Sequence, residues 1–113
     1  MYMILNKKDI ISLNEVFEDG STINESSLDF ALSFAKKTTN WHKSLAILIR
    51  AVLLDHVFEE GNKRTAAILL KTYVEYKGYS TDDGKVVLFI KKVIEKNITS
   101  LRKLEEMIKD VIN

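Results

Sequence analysis

One stretch of the chain gathers side chains that could do chemistry together: His56-Val57-Phe58-Glu59-Glu60-Gly61-Asn62-Lys63-Arg64-Thr65-Ala66. Histidine is the side chain whose charge changes nearest neutral pH, which suits His56 to general-base work. Gly61 allows a backbone to come close to a ligand. A helix starting at Asn62 would present free N–H groups and a partial positive charge, a setting that holds anions. Lys63 and Arg64 fall in its first turn, where basic side chains oppose the helix dipole; a bound phosphate would offset that cost. Glu60 stands just before the turn. A carboxylate facing a phosphate repels it unless a cation lies between, and Mg2+ held by one or two carboxylates plus substrate phosphates is the usual arrangement. Base, metal carboxylate and anion-holding turn lie within nine residues, as transfer of a phosphate-containing group requires.

Two helices must place these groups. Leu45 to Leu54 is apolar nearly all round, interrupted by Arg50, and reads as the heart of a buried central helix from Trp41 to Asp55. The polar stretch His56 to Gly61 links it to a helix from Asn62 to Lys77, stopped by Gly78. A first helix runs from Lys7 to Glu18, capped by Asn6, with Ile10, Leu13, Asn14 and Phe17 on one face. A second begins after Asn24 or Ser26 and ends near Lys37, with Leu28, Ala31, Leu32 and Ala35 at helical spacing. A fifth starts at Asp82-Asp83 and a sixth at Thr99 or Ser100, with Leu101, Leu104, Ile108 and Val111 inward. No stretch alternates as a strand does. The expectation is an all-α fold. It is one domain over residues 1–113, a compact orthogonal bundle of about six helices around a buried central one, with a small flap.

Composition narrows the classes. The 113 residues carry a net charge of +1, no cysteine and no proline. That length suits a single core. Without cysteine there is no disulfide, thiolate metal site or thiol nucleophile, and an intracellular, cytoplasmic location is expected. No segment has the dense basic field that binds a phosphate backbone, so no nucleic-acid partner is expected. The run Leu45 to Leu54 is well short of the about 20 residues a bilayer needs. The apolar start, Met1 to Leu5, precedes its charges, the reverse of a signal peptide. No membrane partner is expected.

The central stretch resembles the H-x-F-x-(D/E)-(G/A)-N-(G/K)-R core of the Fic/Doc (Fido) family, with His56, Phe58, Glu60, Gly61, Asn62 and Arg64 in register. Lys63-Arg64-Thr65-Ala66 follows the form of the Doc, or death-on-curing, branch. Glu25 to Leu32 and Tyr73 to Tyr79 resemble two other helices of the family. The resemblance implies the Fido fold and a set of roles. His56 is the catalytic base toward a hydroxyl of a target protein, and Glu60 holds Mg2+. Gly61, Asn62, Lys63 and Arg64 bind the nucleotide phosphates, and Phe58 anchors the loop. The co-substrate is ATP or another nucleoside triphosphate. Lysine at position 63 goes with the branch that transfers the γ-phosphate, toward a translation elongation factor. Ala67 stands where AMP-transferring members usually carry a second arginine. The resemblance thus implies Doc-like phosphotransfer by a toxin, with an antitoxin helix as its partner. AMP transfer and a catalytically silent nucleotide- or partner-binding module are the alternatives. Lys37, Thr38 and Thr39 fall where the family's flap aligns the target peptide.

Other features have plainer readings. Val57 stands where the family often has proline; if the loop has proline-compatible geometry, Val57→Pro should leave stability unchanged or raise it slightly. Ser21 to Ser26 nearly fits the family's regulatory S/T-x-x-x-E helix. With Ala67 there is no arginine for Glu25, and the segment reads as a turn and helix cap. Glu59 faces solvent and Asp55 pairs nearby. Trp41 and His42 form a packing pair at a helix start. Trp41 with Tyr73, Tyr76 and Tyr79 supplies core packing and a wall for a nucleotide base.

Overall fold

The central helix begins where Asn40 can start it. The Asn40 side-chain oxygen accepts from the N–H groups of His42 and Lys43, at 3.0 and 3.4 Å, and α3 runs from Trp41 to Leu54. Ser44 to Ile49 and Ala51 to Leu53 are buried, so this helix has almost no solvent face. Arg50 tolerates the position because its long stem carries the guanidinium out to the Thr99 carbonyl, 3.0 Å away. The computed structural model describes residues 5–113, so of the apolar start only Leu5 is among the described residues.

Five more helices surround α3: α1 (Lys7–Glu15), α2 (Glu25–Ala35), α4 (Asn62–Tyr76), α5 (Asp83–Glu95) and α6 (Leu101–Val111). α3 packs against α2, α4, α5 and α6, while α1 lies on α2 and α4. The molecule is an all-helical bundle. Local sequence explains most starts. Asn6 and Asp9 form a reciprocal capping box, and Asp82 and Ser100 accept from the N–H groups of Lys85 and Lys103. Each helix then buries its apolar stripe: Leu28, Ala31, Leu32 and Ala35 on α2, and Leu104, Met107, Ile108 and Val111 on α6.

Most ends fall within one or two residues of expectation. α1 is the exception. It stops at Glu15 rather than Glu18: the Phe17 N–H tightens to an i→i−3 bond with the Asn14 carbonyl at 3.2 Å, and the chain then turns at Gly20, φ 78°. No strand forms among the described residues, but two isolated antiparallel bridges do, Thr22 with Phe58 and Thr81 with Ile112. No helix among the described residues is long and apolar enough to cross a membrane.

Candidate functional site

Beyond α3 the chain reverses at His56, which takes a left-handed conformation with φ of 53°. Few residues other than glycine do so. The reversal turns Val57 and Phe58 into the core, where both are 0% exposed, and leaves His56 in solvent. Phe58 is therefore an anchor in the literal sense. The His56 ring directs Nδ1 at the Leu54 carbonyl, 3.2 Å away. A carbonyl oxygen only accepts, so the contact requires a proton on Nδ1, and in the neutral ring of that tautomer Nε2 is the acceptor.

Asn62 closes the loop. Its amide accepts from the Phe58 N–H and donates to the Phe58 carbonyl, both at 2.9 Å. The side chain is thus spent on the loop, which leaves only the Asn62 backbone N–H for any other contact at this turn. Gly61 starts α4 at φ of 77°, and it supplies no side-chain cap. A Cβ there would lie 2.7 Å from Phe17 Cε2 and 2.8 Å from Glu18 Cγ, so glycine is required by space as well as by conformation. The first turn of α4 carries no acidic residue, and Lys63 and Arg64 both reach solvent from it.

Two residues that hold this turn were not legible as site residues. Asn14 is 1% exposed. Its amide donates to the Glu60 carbonyl at 2.9 Å and to Thr65 Oγ1 at 3.1 Å, and its oxygen accepts from the Gly20 N–H at 2.9 Å. Buried Thr65 in turn donates to the Gly61 carbonyl at 2.8 Å. The available signal was a polar side chain on the otherwise apolar face of Ile10, Leu13 and Phe17.

Ser21 to Ser26, read as a turn and helix cap, leads into α2 with Asn24 at the N-cap position. Asn24 makes no side-chain cap bond to α2. The segment instead lies along the His56 loop: Glu59 N–H donates to the Ser21 carbonyl, and Ile23 and Asn24 N–H groups donate to the Val57 carbonyl. The Asn24 amide reaches the Asp55 carbonyl, and Ser27 donates to the Asp55 carboxylate. Ahead of it, the Ser21 N–H donates to Asp19, holding that carboxyl below its ordinary value. Glu25 pairs with Lys7 at 2.9 Å.

The charged groups sit around this frame. Glu59, Glu60 and Lys63 are exposed, and the Arg64 guanidinium lies 5.5 Å above the Phe17 ring, which braces it against the turn after α1. A groove of about 480 Å³ opens beside the first turn of α4 toward α5, with Ala67, Val87, Ile90 and Ile94 on its apolar side and Lys63 and Arg64 at its edge. Among the described residues no three His, Asp or Glu side chains come together to hold a metal. Glu60 alone suits only an ion that shares its coordination sphere with phosphates, the habit of Mg2+.

Three expected site residues lie elsewhere. Lys37, Thr38 and Thr39 follow α2, at the start of α3, roughly 20 Å of helix away from His56. Lys37 and Thr38 N–H groups are bonded to Phe34 and Ala35 carbonyls, so this turn offers no free edge to a peptide beside His56. The aromatic wall is at the same far end. Trp41 stacks on His42 at 3.9 Å and lies near-parallel to Tyr73 and Tyr79, both at 6.1 Å. These rings do not face the His56 loop.

No known protein family, no curated protein and no solved structure matches this chain.

Proposed function

We propose that the chain is a nucleotide-dependent transferase that moves a phosphate-containing group to a protein hydroxyl, with γ-phosphate transfer as its reaction. The observation that carries the reading is the pairing of an exposed His56, whose Nδ1 faces the Leu54 carbonyl, with the uncapped, basic first turn of α4 on the same locked loop. In the proposed step His56 Nε2 takes the proton of a Ser, Thr or Tyr hydroxyl. The hydroxyl oxygen bonds to the γ-phosphorus, the bond to the β-phosphate oxygen breaks, and a nucleoside diphosphate leaves. The backbone N–H groups from Gly61 onward, with Lys63 and Arg64, orient the phosphates. Mg2+ on Glu60 would neutralise phosphate charge when bound. The groove beside Ala67 gives the base an apolar surface, and with alanine at position 67 it has no second arginine beyond Arg64 to reach the distal phosphates.

A toxin role, with an antitoxin helix as inhibitor and a translation factor as target, extends this reading through the Doc resemblance. The test is incubation of the protein with a lysate and Mg-ATP, followed by mass spectrometry. A gain of about 80 Da on a target protein marks phosphate and about 329 Da marks AMP. The expected result is the former, lost in His56→Ala. Full labelling by His56→Ala would sink the mechanism. A binding module would label nothing and still retain nucleotide.

A further inference from the structure

A second cavity lies away from the His56 loop. A cleft of about 760 Å³ lies at the opposite end of α3, between the end of α2, the start of α3 and the end of α4. It falls in the size range of small-molecule sites, which are apolar with a few convergent polar groups. Trp41 and Tyr73, stacked on each other at 6.1 Å and 14°, line it together with Leu5, Leu32 and Leu48. Aromatic side chains give an aromatic ligand ring a favourable surface to pack on.

Charge at the mouth decides the rest of the ligand. Lys36 and Lys77 both line the cleft, and neither has an ion pair among the described residues. Among the described residues no acidic side chain lines it. Each lysine is the C-cap of a helix, α2 and α4, where a helix end carries about half a negative charge. Two full positive charges against two such ends leave the mouth with a surplus of about one positive charge. Thr38 adds a directed group: its Oγ1 accepts from the Asn40 N–H at 3.2 Å, which keeps its own hydroxyl proton to donate.

We propose that this cleft binds a small planar organic anion, with the ring against Trp41 and Tyr73 and the anionic group between Lys36, Lys77 and Thr38. The site is independent of the chemistry assigned to His56. A carboxylate and a phosphate monoester share the required chemistry.

The full chain tests this with three probes of one shape: 1-naphthoate, 1-naphthyl phosphate and neutral 1-naphthamide. Trp41 is the chain's only tryptophan, so its single indole N–H resonance reports binding at this cleft and nowhere else. The expected result is a saturable shift of that resonance with a Kd below about 1 mM for at least one anion, and at least tenfold weaker binding of the amide. Whichever anion binds more tightly identifies the carboxylate or phosphate source. Lys36→Gln with Lys77→Gln should weaken anion binding at least tenfold, while Lys103→Gln on α6 should leave it unchanged. Both lysines reach solvent, so the paired variant should keep its helical circular dichroism. Equal binding of amide and anions, an unmoved Trp41 resonance, or undiminished binding to the folded paired variant would each overturn the proposal.

Discussion

The Asn14 amide donates to the carbonyl of Glu60 at 2.9 Å, joining α1 to the turn in front of α4 across 46 residues of chain. The same amide reaches Thr65 Oγ1, and Asn14 is almost wholly buried. A peptide carbonyl in the middle of the candidate site is therefore held by a side chain from an element that contributes no charge to it. Hydrogen-bonded networks of this kind fix geometry when every member is satisfied, and no buried polar side-chain atom among the described residues lacks a partner.

Replacing Asn14 with Leu keeps the branched shape, with bulkier methyl groups, and removes the bonds. The variant should lose about 1–3 kcal/mol in urea denaturation, because buried polar groups are left unpaired. Thr65→Val should be non-additive with it, since the two share one bond. Additive losses, or a loss in Asn14→Leu below about 0.5 kcal/mol, would mean the network contributes little.

Gly61 and Gly78 both have positive φ but differ in their surroundings. A Cβ on Gly61 would strike Phe17 and Glu18, whereas one on Gly78 meets nothing within 4 Å. Gly78→Ala should cost only the left-handed strain, about 1–2 kcal/mol. Gly61→Ala should cost about 2–5 kcal/mol, strain and overpacking together. Thermal unfolding of the two variants side by side checks this, and equal losses would count against the close approach of Phe17 and Glu18.

The condition attached to Val57→Pro is not met. Proline pushes its predecessor into extended conformations, and His56 is left-handed. Val57 is also fully buried. The substitution should destabilise the protein by about 1–3 kcal/mol rather than leave it unchanged. An unchanged melting temperature would show that the loop accepts another shape.

His42 gives a pH dependence of known sign. Burial first, and the nearby Lys109 second, hold its pKa below the ordinary histidine value, with Glu105 opposing. Between the lowered folded value and the ordinary one, the unfolded chain binds more protons. The contribution of His42 to stability is thus full above the ordinary value. It falls as pH is lowered through that window, and levels off below the folded value. Trp41 stacks on His42, so its fluorescence should titrate with this histidine. A midpoint above 6.5 would contradict the assigned direction.

The helices were readable because each rests on local chemistry. Asn6, Asn40, Asp82 and Ser100 sit at starts and accept the expected N–H groups. The all-round apolar run of α3 required burial, and it is buried. The loop from His56 to Asn62 was readable as a unit for the same reason, since Asn62 bonds back only four residues to Phe58. What was not readable depends on distant pairs. Asn14 looked like an anomaly on an apolar face, and Ser21 to Asn24 like a turn and cap alone, because their partners lie more than thirty residues away. The placement of Lys37 to Thr39 failed for a geometric reason. They open the same helix whose far end carries His56, and a helix of that length separates its two ends.

The left-handed turn at His56 also bears on how such a chain would drift. Asparagine, aspartate and glycine enter that conformation more easily than histidine does. A change from histidine to asparagine at position 56, reachable by one nucleotide, would cost the loop nothing in backbone strain while removing the imidazole. On the proposed reading, descendants that have lost the reaction should therefore keep the bundle and the turn intact. Selection for folding alone would not purge them.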